Sequence, residues 1–255
     1  MTLLAIESAT DMVGAALVHP PFGPAERMHL GGRVHAELLV PSIEEVCAVS
    51  GCTVADIDVV SVDVGPGLFT GLRVGVATAK ALAQALGIGV LAVGSLDILA
   101  AAALDRIGSS AAGWVVAVVD ARRGEVFAAA YRGAADPATS GDPWSERIDR
   151  SGPLAPEALE SWLVELAGGS GSPVQVVGDG AVRYRQQLSA LAGLDLGAAA
   201  ELSSPPPLAQ AGLALRRLES GAVPSPPAEV TPDYRRPADA RINWEQRDPR
   251  TAGPA

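Results

Sequence analysis

Apolar runs and polar turns alternate near the start of the chain as they do in a hairpin-based sheet. LLAIESA (3–9) and MVGAALV (12–18) are apolar runs separated by a short polar turn, and ERMHLGGRV (26–34) follows them. Runs of this length between turns predict three consecutive strands. HAELLVPSIEEVCAVSG (35–51) then predicts a helix, because its apolar positions recur at helical spacing, with Pro41 marking a kink or the first turn.

The pattern continues with strands and helices in alternation and then starts again. Strand, helix, strand and helix are predicted in turn over 57–65, 69–87, 88–95 and 95–107. WVVAVVDARRGEVFAAAYRG (114–133) repeats the opening arrangement, because an acidic residue ends the first strand of each hairpin: Glu7 in the first and Asp120 in the second. The repeat is weak, and a chance likeness between two buried hairpins stays open.

The second half of the chain is less regular but keeps the same order of elements. Helices are predicted over 156–167, 182–193 and 208–221, and a strand over 174–181. An order of strands and helices begun twice predicts an α/β fold of two ribonuclease-H-like lobes, the architecture of actin, Hsp70 and the sugar kinases (the ASKHA class). The first lobe is expected over 1–107 and the second over 108–235, followed by a polar, proline-rich and disordered tail over 236–255.

The segment DVGPGLFTGLRVGVATAKALA (63–83) begins like a phosphate-binding loop and runs into a helix. It lacks the lysine of a Walker loop, and Thr70 stands where a dinucleotide fingerprint needs its third glycine. Small residues recur every four positions along this helix, which predicts a groove for a closely packed backbone. The helix is apolar on most sides, so one face should cover its own sheet and another should contact a helix of the same lobe or of a second protein. Phe69 is expected to pack against the sheet.

Charge and composition narrow the classes of function. The net charge is −10, so binding of tRNA or DNA by the chain alone would need a local basic patch. Cys47 and Cys52 provide neither a disulfide framework nor a metal-binding spacing, and none of the three histidines lies four residues from another. The start of the chain has no signal-peptide pattern and no stretch reads as a transmembrane helix, so a cytoplasmic protein is expected.

Several stretches resemble the TsaB (YeaZ) family, and the resemblance extends over roughly residues 2–237. They are LAIESAT (4–10), ELLVPSIEEVC (37–47), GPGLFTGLRVGVATAKALA (65–83), DARRGEVFAAAY (120–131), VGDGA (177–181) and TPDYRRP (231–237). The resemblance implies the two-lobed fold and a role in forming N6-threonylcarbamoyladenosine at position 37 of tRNAs that read codons beginning with A.

The same resemblance implies that this chain does not catalyse the transfer itself. In the family, TsaD carries the transferase centre and TsaE is an ATPase that acts on the complex. ATP and metal belong to those two proteins, so no cofactor is expected here. The chain is expected to bind TsaD, to form a homodimer when alone, to meet tRNA only through the complex, and to have no membrane partner.

The resemblance and the row of small residues together predict a partner interface on the first two helices. The residues expected there are His35, Leu39, Ile43, Val46, Gly71, Gly75, Val76, Ala79, Lys80 and Ala83. A vestigial nucleotide site is expected at Glu7, Thr10, Asp120 and Gly178. Glu7 stands where relatives often have Asp, and its extra methylene puts a kinase-like geometry in doubt.

Two enzymatic alternatives stay open. One is a TsaD-like metal-dependent transferase or glycoprotease, which would need a histidine-based metal site that the spacing of His19, His29 and His35 does not offer. The other is a small-molecule kinase of the same superfamily, with ATP bound around the four residues of the vestigial site. A kinase should be stabilised by Mg-ATP in the isolated chain, and a non-catalytic partner should not.

Overall fold

Two mixed five-stranded sheets form the framework of the computed structural model, which describes residues 1–31, 34–107, 113–134 and 141–236. The first half of the chain contains β1 (Leu3–Glu7), β2 (Met12–Val18), β3 (Ala25–Leu30), α1 (His35–Val49), β4 (Val59–Asp63), α2 (Phe69–Leu86), β5 (Val90–Val93) and α3 (Ser95–Ile107). The strand order is β3-β2-β1-β4-β5. The first three strands are antiparallel neighbours, and β4 and β5 run parallel to β1.

The second half of the chain repeats this topology. It contains β6 (Trp114–Arg122), β7 (Glu125–Gly133), β8 (Trp144–Asp149), α4 (Pro156–Ser170), β9 (Val174–Val177), α5 (Asp179–Arg183), α6 (Arg185–Leu188), β10 (Leu194–Asp195) and α7 (Pro207–Glu219). The strand order is β10-β9-β6-β7-β8. Counted from the first strand of each half, both sheets have the order 3-2-1-4-5, so the predicted pair of ribonuclease-H-like lobes is confirmed.

Helices cover both faces of both sheets. α1 and α2 pack on one face of the first sheet, and α7 packs on the other. α3 packs against the second sheet, where Leu99 and Leu104 join the core around Val115 and Ala117. α3 and α7 contact each other between the sheets, and α4 and α5 cover the far face of the second sheet. α3, the last helix before residue 108, packs on the second sheet although it precedes the second half of the chain. The predicted division of the lobes after residue 107 stays a prediction.

Local sequence explains where the long helices begin and end. α2 ends at Gly87, whose φ of 69° is the left-handed conformation that closes many helices and that glycine adopts without strain. α4 begins at Pro156, which lacks the backbone N–H that a first helical residue would leave unsatisfied. The predicted helix over 182–193 is instead two short helices, α5 and α6, which meet at Tyr184.

The residues after α7 tie the two lobes together. This C-terminal strap, residues 222–236, pairs with the edge of the first sheet through Ser225 and Val90 and accepts hydrogen bonds from Lys80 Nζ. The Asp233 N–H then donates to the Val64 carbonyl (2.7 Å), and Arg235 reaches Asp149 of β8 (2.6 Å). The predicted disordered tail falls, from residue 237 onward, outside the described residues. No helix in the described part of the chain is long and apolar enough to cross a membrane.

Candidate functional site

The glycine-rich segment before α2 lies against the turn that joins β1 and β2. The Leu68 N–H donates to the Ala9 carbonyl (2.6 Å), and Ser8 Oγ donates to the Gly71 carbonyl (2.9 Å). A Cβ at Gly67 or Gly71 would collide with the carbonyl oxygens of Ala9 and Ser8. Backbone therefore approaches backbone here, and glycine is required by the chain's own packing. The interpretation of this loop as a turn into the helix follows from the same contacts.

Two carboxyl groups are buried side by side at the ends of β1 and β4. Glu7 and Asp63 are fully buried. Glu7 Oε1 accepts the Ala9 N–H (2.7 Å), and Asp63 Oδ1 accepts from the Gly65 N–H and Ser95 Oγ (both 2.7 Å). Within the described residues, no donor reaches Glu7 Oε2 or Asp63 Oδ2. A proton shared between these two oxygens satisfies both.

The electrostatics of this pair agree with a shared proton. Burial, followed by the neighbouring charge of Asp63, raises the pKa of Glu7 well above its ordinary value. Burial also raises the pKa of Asp63 to about 6, against the opposing effect of its hydrogen bonds. The surroundings of Glu7 therefore favour its protonated form. Because it is inaccessible from outside, it does not present a negative charge to a metal or a phosphate.

The corresponding acidic residue of the second lobe is ion-paired. Asp120, at the start of the turn between β6 and β7, accepts hydrogen bonds at Oδ2 from Arg122 Nη1 (3.1 Å) and Arg183 Nη1 (3.0 Å). Its backbone N–H donates to Asp179 Oδ1 (2.7 Å). Gly178, just before α5, has a φ of 105°, and a Cβ there would collide with the Val118 carbonyl. In the fold, Gly178 therefore allows its own backbone to pack closely against the backbone of Val118.

The two hairpin turns are joined by one ion pair. Arg122 Nη2 lies 3.0 Å from both carboxylate oxygens of Asp11, which is in the turn between β1 and β2. Arg122 thus bridges Asp11 of the first turn and Asp120 of the second. A side chain of the protein therefore joins the two turns directly.

A cavity of about 570 Å³ lies beside this bridge, and we call it the arginine cleft. It is lined by Gly67, Leu68, Phe69, Arg73, Asp120, Ala121, Arg122, Arg123, Phe127, Asp233, Tyr234, Arg235 and Arg236. The guanidinium of Arg73 stacks on Phe69, 3.9 Å from the ring centroid, and donates to the Tyr234 hydroxyl (3.2 Å). The prediction that Phe69 packs against the sheet is wrong, because 43% of Phe69 is exposed at the cleft.

The residues predicted for a partner interface lie mostly in the core of the first lobe. Nine of the ten are buried, and they pack α1 and α2 against the first sheet; they are His35, Leu39, Ile43, Val46, Gly71, Gly75, Val76, Ala79 and Ala83. Lys80, the tenth, binds two carbonyls of the C-terminal strap. The prediction that these residues contact a partner directly is therefore corrected. The row of small residues along α2 packs against Ser8 and Ala9 of the same chain, so its groove is already filled.

The side of α1 and α2 that faces away from the sheet is accessible instead. We call it the outer face and define it by Ala36, Val40, Thr70, Val74, Ala77 and Ala81, all exposed except the half-buried Val74. Half of Val40 is exposed. His35 lies beneath this face and links it to the first turn, because its Nε2 lies 2.8 Å from the Thr10 carbonyl.

The predicted nucleotide-site residues do not form an open pocket. Glu7, Thr10, Asp120 and Gly178 are all buried, and of these four only Asp120 lines the arginine cleft. Thr10 Oγ1 accepts the Met12 N–H (3.3 Å), which is a contact internal to its turn. The described residues contain no group of three or more His, Cys, Asp or Glu side chains arranged to hold a metal.

Comparisons with known proteins show what this chain is similar to. A family model described as TsaD, tRNA N6-adenosine threonylcarbamoyltransferase, matches residues 29–144. An uncharacterized protein of Mycobacterium tuberculosis is 44% identical over 132 residues, which are 51% of this chain and 59% of that protein. The match therefore spans little more than half of that relative. The tRNA threonylcarbamoyladenosine biosynthesis protein TsaB of Bacillus subtilis is 29% identical over 248 residues, covering 96% of this chain and 98% of TsaB.

A solved structure agrees with the match to TsaB. A crystal structure from Pseudomonas aeruginosa, described as similar to peptidase YEAZ, superposes with a TM-score of 0.71 at 26% identity and covers 92% of this chain and 99% of that one. Over almost its whole length the chain is therefore similar to TsaB (YeaZ) proteins. The TsaB relatives are named as biosynthesis proteins for threonylcarbamoyladenosine in tRNA. In this chain, a function has to be argued from the filled groove along α2 and from the ion pair that joins the two turns.

Proposed function

We propose that this chain is a non-catalytic subunit for threonylcarbamoylation of adenosine 37 in tRNAs that read codons beginning with A. It supports a TsaD-type transferase, on which TsaE then acts, and it requires no ATP or metal of its own. It meets tRNA through the complex, works in the cytoplasm, and pairs with itself when TsaD is absent. The similarity to TsaB proteins supports the pathway, and the geometry between the lobes supports the absence of catalysis.

The observation that carries the proposal is the Arg122 bridge between the hairpin turns. A kinase or ATP-dependent transferase of this architecture needs free carboxylates at these turns to hold a metal and a phosphate chain. Glu7 is fully buried and its pKa is raised by that burial, and Asp120 is paired with two guanidiniums. Arg122 lies where the two turns meet, so the chemistry of a phosphoryl-transfer site is replaced by internal ion pairs.

The outer face of α1 and α2 is the surface we propose for TsaD. Its small and branched apolar residues allow another pair of helices to approach closely. An exposed apolar helix face is a common mark of a protein interface. A second copy of this chain would cover the same face by two-fold symmetry, which accounts for a homodimer in the absence of TsaD.

Reconstitution with purified TsaD, TsaE, substrate tRNA, threonine, bicarbonate and ATP, with the enzyme that forms threonylcarbamoyl-adenylate, tests this proposal. We expect modified adenosine only when this chain is present together with TsaD. Val40→Glu on the outer face should abolish both co-elution with TsaD and modification. Val164→Glu on α4 is the matched control, because Val40 is 50% and Val164 is 51% exposed.

Three results would contradict parts of the proposal. Modification by this chain with no TsaD present would make it the transferase. Modification at the full rate without this chain would remove the supporting role. Loss of co-elution in both valine variants would show that the outer face is not the specific surface.

A further inference from the structure

The arginine cleft gathers arginines in an acidic protein. The whole chain has 19 basic residues and a net charge of −10, yet five arginines line this one cavity: Arg73, Arg122, Arg123, Arg235 and Arg236. Five carboxylates contact arginines of the cleft: Asp11 and Asp120 contact Arg122, Asp149 and Asp233 contact Arg235, and Glu125 contacts Arg236. Arg73 makes no ion pair within the described residues; its partners are Phe69 and Tyr234.

The turn between β6 and β7 holds two of these arginines in an unfavourable backbone conformation. Arg122 and Arg123 have φ values of 62° and 56°, in the left-handed region that glycine and asparagine occupy more readily. A turn of Gly and Asn would avoid that strain but would remove both guanidiniums from the wall of the cavity. Strain of this kind is a reason to look for a ligand.

Aromatic rings lie beside the arginines. Phe69 and Tyr234 pack at 5.0 Å between centroids, and 43% of each is exposed. Exposed aromatic rings next to arginines form the stacking platforms on which single-stranded nucleic acids place their bases. A second hollow adjoins the cleft and shares Leu68, Phe69 and Arg122 with it. It reaches Ala36 and Val74 of the outer face, so a ligand longer than one nucleotide has a continuous path toward the proposed partner.

The chemistry of the cleft favours phosphodiesters over a nucleoside triphosphate. A triphosphate is normally bound as a magnesium complex, which needs carboxylate or hydroxyl ligands. The two carboxylates in the lining are both engaged: Asp120 by Arg122 and Arg183, and Asp233 by Arg235. A phosphodiester carries one charge and needs only a guanidinium.

We propose that the arginine cleft binds a single-stranded segment of the RNA substrate. Phosphodiester groups contact Arg73 and Arg123, and a base stacks on Phe69 or Tyr234. The inference rests on the proposed function, which supplies the RNA. It also agrees with the expectation that the chain meets tRNA only through the complex, because the charge in the cleft is largely compensated and only a short stretch of RNA is held.

The test is binding of a fluorescent anticodon stem-loop RNA, measured by anisotropy for the chain in its complex with TsaD and for the chain alone. We expect Arg123→Ala and Arg73→Ala each to weaken binding by the complex about 5- to 10-fold. Each should also reduce the slope of log affinity against log salt by about 1, as expected for one lost phosphate contact. Arg106→Ala is the control, since Arg106 is equally a surface arginine and pairs with Glu201 away from the cleft.

The outcomes separate this inference from the proposed function. Unchanged RNA binding by both cleft variants overturns the inference while leaving the requirement for the chain in reconstitution untouched. Displacement of the RNA by Mg-ATP at a similar concentration also overturns it, because the cleft would then be a nucleotide site. Equal losses in Arg106→Ala overturn it as well, because overall charge rather than the cleft would then govern binding. Melting temperatures of all three variants should match that of the unsubstituted chain.

Discussion

The two lobes share one topology but treat the acidic residue at the end of their first strand in different ways. In the first lobe Glu7 is buried against Asp63, and burial raises the pKa of Glu7 well above its ordinary value. In the second lobe Asp120 lies at the edge of the arginine cleft and binds Arg122 and Arg183. One carboxyl is removed from solvent by burial, and the other is paired with guanidiniums.

The difference shows that a shared arrangement of strands does not preserve its chemistry. Both solutions are stable ways to bury or cover a carboxyl group at the end of a strand. Neither leaves a negative charge for a metal ion. The lobes also share a packing device: glycines in α2 approach Ser8, and Gly178 and Gly180 before and within α5 approach Val118. Substitutions in each lobe should distinguish their contributions to stability. The largest loss of stability is expected at a glycine where one backbone contacts another.

Gly71→Ala should destabilise the chain by about 3 kcal/mol, because a methyl group there meets the Ser8 carbonyl and cannot be accommodated without moving the first turn. The gain in helix propensity from Gly to Ala, about 1 kcal/mol, is too small to offset this. Urea unfolding monitored by circular dichroism measures the difference. Gly212→Ala in α7 is the control and should be neutral or stabilising, since a Cβ there would meet only the end of the Arg216 side chain, at 4.0 Å. Equal stability of the two variants would contradict the close approach.

Asp120→Ala should destabilise the second lobe by about 2 kcal/mol, because two guanidiniums lose their shared carboxylate. The exposure of both arginines, 44% and 48%, keeps the loss from being larger, since water replaces part of the interaction. Asp120→Asn should lose less, because an amide oxygen still accepts from Arg122. Thermal unfolding of both variants ranks them, and an unchanged melting temperature for the alanine variant would mean that the ion pairs add nothing.

Glu7→Gln should change stability in a way that depends on pH. A raised pKa in the folded state means that the folded chain holds a proton which the unfolded chain releases above the ordinary value of 4.5. The stability of the unsubstituted chain therefore falls as pH rises from that value toward the folded pKa, by up to about 1.4 kcal/mol per pH unit. The glutamine side chain has no such proton to lose, so the variant should become the more stable of the two as pH increases.

Urea unfolding at pH 5 and pH 8 measures this crossover. The raised pKa of Asp63, about 6, acts in the same direction in the unsubstituted chain. A constant difference between Glu7→Gln and the unsubstituted chain at both pH values would contradict the shared proton.

The ion pair between the turns should contribute least. Asp11→Ala removes the carboxylate that Arg122 Nη2 contacts, yet 58% of the Asp11 side chain is exposed, and surface pairs are typically worth less than about 1 kcal/mol. A double-mutant cycle with Arg122→Ala should give a coupling energy of about 0.5 kcal/mol. A coupling above about 2 kcal/mol would show that the bridge holds the lobes together rather than only filling the space between them.

The strands and the long helices could be predicted from the sequence because their apolar residues form clear runs or recur at helical spacing. The side of α2 that faces the sheet could not be predicted, because apolar residues surround that helix. The sequence pattern assigns Gly71 and Ala79 to a partner interface, whereas in the structure they pack within their own lobe. The decisive information is a contact between residues distant in the sequence, such as Gly71 with Ser8.

The arginine cleft could not have been found from local patterns. Arg73, Arg122 and Tyr234 come from three distant segments, and only the fold brings them to one cavity. A weak signal was present in the pair Arg122 and Arg123, two bulky residues at a tight turn before Gly124, where smaller residues are usual. The exposure of Phe69 could not be predicted from the sequence either, because an aromatic residue at the start of a helix ordinarily packs inward.

The most direct test of the central claim is the reconstituted modification assay with the doubly substituted chain Glu7→Gln, Asp120→Asn. These substitutions remove both acidic groups that a kinase-like or metal-dependent mechanism would use, while keeping the shapes of the side chains. A non-catalytic subunit should support formation of threonylcarbamoyladenosine by TsaD at a rate within about 2-fold of the unsubstituted chain, a change worth about 0.4 kcal/mol. A fall of about 100-fold or more, with binding to TsaD and folding intact, would contradict the account and assign catalysis to this chain.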